Sequence, residues 1–320
     1  MNHKLIKNTI YGVAIGDALG MPHQFLPPQE FDKQPVTEMT GYGAFSYPAG
    51  TWSDDTSLTL ALLDSLSQGV NYTQIMQAFA NWYQLGKYTP TGIAFDIGAG
   101  TAEAIKTFLA GTLALAAGSS KVTNNGNGAL MRLAPVVLYL ANRDDTLSLA
   151  EQFEILHNTT RLTHGHVRAL VASGLLGMAM LTVQRHPEWP LRRALTTGFQ
   201  IARDYYQNQP AFQSELIDFK PLFHLEQLIN TNRNDIPSSG YVVDTLIAVS
   251  WCLLTEPNPN ACLLKAVNLG EDTDTIAAIT GGVLGLNPAT HFSHSWLSQL
   301  KDRAQIDYYI HQATESANFN

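Results

Sequence analysis

Apolar residues recur along most of this chain at helical spacing, and the strict alternation of a half-buried strand is almost absent. The segment from Tyr72 to Leu85 is the clearest case. Ile75, Met76, Phe79, Trp82 and Tyr83 fall on one face, and Gly86 follows as a natural left-handed stop. The same period predicts helices over 54–67, 99–109, 129–142, 147–158, 166–184, 190–206, 241–254, 260–268 and 275–285. Several are apolar nearly all round, as the inner helices of a large bundle are. Near the N-terminus, Gly12, Gly16 and Gly20 form one stripe of a helix, where missing Cβ atoms let a second backbone come close. No repeat or linker divides the chain, so residues 1–320 are expected to form a single all-α domain.

Two segments interrupt the pattern. Residues 26–50 are rich in Pro and Gly and long for a structureless connection, which in compact domains usually marks function or mobility. Their aromatics (Phe31, Tyr42, Phe45, Tyr47) either cover a cleft or pack locally. Residues 207–240 are rich in Asn, Gln and Pro, with one short helix expected near 221–229.

Composition narrows the function. Charged residues make up only 14% of the 320, against roughly 25% in an average soluble domain, so a cluster of acids is conspicuous here. The balance of 27 acidic to 19 basic residues argues against a general nucleic-acid binder, which needs a basic footprint. It leaves room for an anionic small molecule, because a bound metal or a helix N-terminus supplies positive charge locally. Cys252 and Cys262 are too few for a disulfide framework or a structural zinc site. Lys4 and Lys7 precede an apolar run that Asp17 cuts short, so no export segment is expected. The longest apolar stretch, Ala169 to Val183, falls short of the ~18–20 residues that span a bilayer, and reads as a buried helix. A cytoplasmic, monomeric protein with no membrane partner is the expectation.

One feature occurs twice. Trp52-Ser53-Asp54-Asp55-Thr56-Ser57 precedes the apolar run LTLALLDSL, and Gly270-Glu271-Asp272-Thr273-Asp274-Thr275 precedes IAAITGGVLG. A single start of this kind is ordinary helix capping, since Ser and Asp favour N-caps and acids complement the dipole. Two of them in a charge-poor chain point to a cation that makes clustered carboxylates tolerable. The all-oxygen donor set selects hard ions such as Mg²⁺, Mn²⁺ or Ca²⁺ over zinc. An EF-hand is excluded, because the glycine and the closing glutamate of that loop are missing after Asp272. Two such starts facing each other would build a two-metal clamp.

Five motifs in order resemble the ADP-ribosylglycohydrolase family: Gly16-Asp17-Ala18-Leu19-Gly20, Ser53-Asp54-Asp55-Thr56, Asn127-Gly128-Ala129-Leu130-Met131-Arg132, Thr163-His164 and Asp272-Thr273-Asp274-Thr275. The resemblance covers roughly residues 8–286. It leaves 207–240 and the C-terminal tail uncovered. It implies an all-α orthogonal bundle with two Mg²⁺ or Mn²⁺ ions in a central cleft, and removal of ADP-ribose from a modified acceptor. Arginine on protein is the favoured acceptor. By the same resemblance, Ser53 (often Thr in the family), Asp54 and Asp55 form the first metal-binding run, and Asp272, Asp274 and Thr275 the second. Asn125, Gly126, Asn127 and Gly128 match the glycine-rich loop that holds ADP-ribose, and His164 matches a histidine of the substrate cleft. Phe95-Asp96-Ile97-Gly98 resembles a segment of a bacterial member whose aspartate contacts the ribose, making Asp96 the candidate acid/base beside Asp55.

The chain departs from the family at one point. The usual glutamate after GDALG is replaced by Gln24, which can accept a hydrogen bond but cannot take a proton. Losing a positioned general base typically costs about 10²–10⁴-fold. Either Asp96 carries the acid/base work, or the protein is a weakened relative that binds ADP-ribose or neutralises a toxin.

Several residues have two readings on spacing alone. Gly126-Asn127-Gly128 leading into a helix at Ala129 would offer N–H groups to a diphosphate, or simply cap that helix. Arg132 could pair with phosphate or with an acid of the bundle. Trp52 could stack on adenine or staple its helix. His164 and His166, two apart, face different directions, which disfavours a zinc site and leaves His166 as a cap or surface residue.

Overall fold

The structure, a computed structural model, describes residues 3–143 and 146–319. Among them the chain forms 17 α-helices and no strand, apart from two isolated bridges, Ser119 with His164 and Gly126 with Tyr241. The all-α expectation is borne out.

The first half contains α1 (His3–Gly20), α2 (Pro28–Lys33), α3 (Asp54–Ser67), α4 (Tyr72–Leu85), α5 (Ala99–Leu109), α6 (Ala114–Ala117), α7 (Ala134–Ala141) and α8 (Leu149–Arg161). The second half contains α9 (Val167–Arg185), α10 (Leu191–Gln207), α11 (Pro210–Gln213), α12 (Leu225–Ile229) and α13 (Val242–Thr255). It closes with α14 (Pro259–Val267), α15 (Thr273–Gly285), α16 (His294–Gln299) and α17 (Arg303–Glu315).

Local chemistry explains the clearest boundaries. At the start of α4 the Asn71 side chain accepts from Gln74 N–H at 3.1 Å, and Gly86 ends the helix in the left-handed region. The face bearing Ile75, Met76, Phe79 and Trp82 is fully buried, as its period requires. Helix α8 opens with a capping box between Ser148 and Glu151. His166 caps α9 by accepting from Arg168 N–H at 3.1 Å, which settles it as a cap.

Three expectations need correction, and of the two readings of Trp52 one falls away. The helix expected over 129–142 begins only at Ala134, because Leu130 and Met131 turn back onto the Asn127 carbonyl and Pro135 opens the helix. Helix α9 has 19 residues and is long and apolar enough to cross a membrane, but 83% of its most apolar window is buried in the protein. Trp52 is wholly buried and donates from Nε1 to Lys301 O at 2.8 Å, so it stacks on no ligand. Helix α17 is additional, although Ile306, Tyr309, Ile310 and Ala313 carry the i, i+3, i+4, i+7 signal.

Among the described helices, the closest backbone-to-backbone packing joins α1 to α15. A Cβ built on Gly12 would lie 2.1 Å from Gly281 O, one on Gly16 2.1 Å from Ala277 O, and one on Gly20 2.4 Å from Asp274 Cα. The glycine stripe is therefore a backbone-to-backbone contact. Helices α3, α7, α13, α14 and α17 pack around this pair, with α9 and α10 beyond. Their apolar side chains form one contiguous core.

Backbone atoms cannot give way as a flexible side chain can. Gly16→Ala should therefore cost about 3 kcal/mol or more, the upper end for overpacking. Gly98→Ala, whose Cβ would meet only Thr101 Oγ1 at 3.9 Å, should leave the melting temperature nearly unchanged. Thermal denaturation of the two variants checks the contrast.

Candidate active site

The contact between α1 and α15 brings two acids together. Asp17 projects from α1 and Asp274 from the first turn of α15, while α3 contributes Asp55. One carboxylate oxygen from each of these three lies within 4.8 Å of the other two. Asp54, Asp96 and Asp272 line the adjoining cleft, which has a volume of about 670 Å³.

Asp17 organises the start of α3. Its carboxylate accepts from Ser53 N–H at 2.9 Å, from Thr56 N–H at 3.0 Å and from Thr56 Oγ1 at 2.6 Å. Neither Ser53 nor Asp272 caps its helix through its own side chain. At α3 capping thus falls to an acid from another helix, which leaves Asp54 and Asp55 for other work, while at α15 Asp274 Oδ1 accepts from Thr275 N–H at 2.8 Å. Among the expected site residues, Asp17 was missed. Its signal is visible in hindsight: an acid inside an apolar, glycine-striped helix of a charge-poor chain.

Ten of the expected residues line the cleft: Gln24, Asp54, Asp96, Gly126, Asn127, Gly128, His164, Asp272, Asp274 and Thr275. Ser53 and Asp55 lie behind them, buried, with Ser53 Oγ donating to Asp55 Oδ2 at 3.3 Å. Asn125 does not line the cleft. Its amide donates to Val122 O at 2.9 Å, and its own carbonyl accepts from Val242 N–H at 2.9 Å. Together with Asn127 N–H, which donates to Gly240 O at 3.1 Å, this pins the glycine-rich loop to the entry of α13. Asn127 Nδ2 donates to Thr245 Oγ1 at 2.8 Å and to Asp272 Oδ2, so the loop also holds one of the acids.

Two assignments from spacing change. No helix begins at Ala129, so the loop offers a diphosphate no helix dipole. Arg132 lies outside the cleft lining and has no carboxylate partner among the described residues: it is buried and donates to Gly128 O, to Thr163 Oγ1 at 2.8 Å and to Thr159 O at 3.4 Å.

Gln24 occupies a telling place. Its Nε2 donates to Oδ2 of both Asp96 and Asp274, bridging the two acids. Around the mouth, Phe25, Asp96 and Glu271 all adopt left-handed backbone, which costs non-glycine residues on the order of 1 kcal/mol each. Phe25 and Glu271 are tied together, Phe25 N–H to Glu271 O and Glu271 N–H to Leu26 O, both at 2.8 Å. Phe45 and Tyr47 pack on Phe95 beside Asp96, with ring centres 5.5 and 4.6 Å away, so part of loop 26–50 forms this rim. Phe31 instead packs locally and is buried.

The electrostatics of the six acids are uniform in direction. Burial raises the pKa of Asp17, Asp54, Asp55, Asp96, Asp272 and Asp274, Asp17 to about 6. Neighbouring carboxylates push Asp54, Asp55, Asp96 and Asp274 further up. Two ionised groups at such separations repel by about 3 kcal/mol at an effective dielectric of about 20. Asp55 Oδ1 is buried and has no hydrogen-bond partner. Clustered, buried, hard oxygen donors with an orphaned lone pair suit a divalent cation.

Comparison with known proteins agrees with this geometry. The model of the family described as ADP-ribosylglycohydrolase matches residues 2–318. The chain belongs to the ADP-ribosylglycohydrolase family. It is accordingly a hydrolase, and the family match extends past the 8–286 seen from motifs, through 207–240 and the C-terminal helices. It is 29% identical to ADP-ribosylarginine hydrolase Tri1 of Serratia proteamaculans, over 96% of this chain and 78% of that one. It is 27% identical to ADP-ribosyl-[dinitrogen reductase] glycohydrolase of Rhodospirillum rubrum, over 93% and 90%. A solved structure titled ADP-ribosylglycohydrolase-related protein complex superposes with a TM-score of 0.75, at 26% identity and 98% coverage of both chains.

The six raised carboxyl pKa values make the metal-free protein lose stability as pH rises. They outnumber the two buried histidines, His157 and His164, whose lowered pKa values act in the opposite direction. Native carboxyls hold protons that the unfolded chain has released, so they stabilise the fold at low pH, and the contribution fades as pH rises through about 6. In EDTA, the melting temperature should fall from about pH 5 to about pH 8. Added Mg²⁺ or Mn²⁺ should raise it, and more at the higher pH. Differential scanning fluorimetry across that range checks both signs.

Proposed function

We propose that this hydrolase removes ADP-ribose from arginine on a modified protein, using two divalent cations, Mg²⁺ or Mn²⁺, held by the acidic cluster. The observation that carries the reading is the meeting of four buried aspartates (Asp17, Asp54, Asp55 and Asp274) with the half-buried Asp96 and Asp272 in and behind one cleft. Asp54, Asp55, Asp272 and Asp274 would hold the ions, with Asp17, Ser53 and Thr275 completing the oxygen donors. Bound there, the ions supply charge to orient the ribose hydroxyls and acidify water. The names of two relatives, hydrolases of ADP-ribosylarginine and of ADP-ribosyl-dinitrogen reductase, support the acceptor class.

The residues of the chain then divide the remaining work. The reaction breaks the bond from the ribose C1″ to the guanidino nitrogen and forms one from C1″ to a water oxygen, through an oxocarbenium-like transition state. Asp96 takes the proton that this water releases and delivers it to the departing nitrogen, which closes the proton balance and returns the carboxylate. Burial has raised the pKa of Asp96, which makes it a stronger base than an exposed carboxylate. Gln24 takes no proton. It donates to Asp96 and Asp274, orients both, and adds no further negative charge to a crowded site. The Gly126–Gly128 loop holds the diphosphate through individual N–H groups, and the Phe25–Phe45 rim borders the mouth on the acceptor side.

Release of free ADP-ribose from arginine-ADP-ribosylated protein tests the proposal. Release should require Mg²⁺ or Mn²⁺ and stop in EDTA. Asp55→Ala should lose both the cation-induced rise in melting temperature and activity by at least about 10³-fold. Asp96→Asn should keep the thermal response while kcat falls about 10²–10⁴-fold. Gln24 supports one rival: if ADP-ribose binds while no linkage is cleaved, the protein binds or neutralises and does not turn over.

A further inference from the structure

We propose that Thr163 and Arg132 lock His164 in the neutral tautomer with its proton on Nε2, making that ring edge a constant donor to an oxygen of the bound ADP-ribosyl group. The tautomer follows from the protein alone, whereas its ligand rests on the function proposed above.

The derivation starts at Arg132, whose guanidinium has only N–H donors. It is buried over the Phe79 ring, 4.9 Å from the ring centre, and donates from Nη2 to Thr163 Oγ1 at 2.8 Å. Thr163 Oγ1 therefore accepts there. Thr163 is wholly buried, and the other polar atom at its hydroxyl is Nδ1 of His164, at 2.8 Å. The hydroxyl hydrogen must go to Nδ1. Were Nδ1 protonated instead, that hydrogen would be buried without an acceptor, at about 1–3 kcal/mol. Nδ1 thus presents its lone pair, and the single proton of the neutral ring sits on Nε2. Burial, with Arg132 beside it, pushes the His164 pKa down to about 3, so the doubly protonated ring does not compete.

The Nε2 edge is kept open. A Cβ on Gly126 or Gly128 would lie 3.6 Å from Nε2, and one on Gly128 3.1 Å from Cε1. Nε2 makes no hydrogen bond to the described residues, and His164 lines the cleft. The two glycines thus leave room for a ligand oxygen against this N–H. A consequence reaches the chemistry: a ring already protonated at Nε2 cannot be the base that Gln24 fails to be. Asp96 keeps that role. Thr163 and Arg132 act through His164 and are positioning residues.

The test reads the tautomer directly. Protein labelled with ¹⁵N-histidine, free of ligand, is examined by long-range ¹H–¹⁵N correlation, with the His164 signals assigned by their loss in His164→Gln. The expected pattern is a pyrrole-type Nε2 and a pyridine-type Nδ1, constant between about pH 5 and 8. The reverse pattern in the wild-type protein overturns the lock whether or not any variant folds. Thr163→Val should bring in the Nδ1–H form and weaken ADP-ribose binding about tenfold, while Thr163→Ser restores both. Saturating ADP-ribose should shift the wild-type Nε2 proton. If ADP-ribose binds without moving it, the donor role is overturned while the functional reading survives. If the tautomer is as expected but ADP-ribose does not bind, it is the functional reading, and the ligand assigned here with it, that fails.

Discussion

Everything in the candidate site depends on two helices touching backbone to backbone. Gly12, Gly16 and Gly20 of α1 meet Gly281, Ala277 and Asp274 of α15 with no room for a methyl group. This contact carries Asp17 and Asp274 to the same point in space, and Asp17 then fixes α3 by accepting from Ser53 and Thr56. Asp54 and Asp55 are delivered as a consequence.

The apolar bundle that makes such closeness possible also strips the acids of water. Each of the six carboxyls is harder to ionise than a free aspartate, and four are burdened further by their neighbours. Stability and function pull in opposite directions here, as they often do at active sites. A cation reconciles them. Gln24 belongs to the same balance: an amide between Asp96 and Asp274 supplies donors where a carboxylate would add repulsion.

Much of this was legible in the chain. Long apolar periods gave the inner helices, and the spacing of three glycines announced the close contact, because both signals are local. The two acidic helix starts were conspicuous against a charge-poor background. What the chain hid was set by tertiary structure. Asp17 caps a helix 36 positions away, which no window on the sequence reveals. The turn over 129–133 replaced an expected helix start because Leu130 and Met131 donate back to the Asn127 carbonyl and Pro135 opens the helix only after them. Arg132 found partners in Gly128, Thr159 and Thr163, where spacing had suggested a phosphate or an acid.

The central claim is that contact between α1 and α15 builds a divalent-cation site from acids of separate helices. Titration of the protein with Mn²⁺, following the free ion by electron paramagnetic resonance, tests it most directly. Two ions bound per chain, with loss of binding in Asp274→Ala while the variant stays folded, is the predicted result. A wild-type protein that binds no Mn²⁺, or an Asp274→Ala variant that binds it undiminished, would contradict the account.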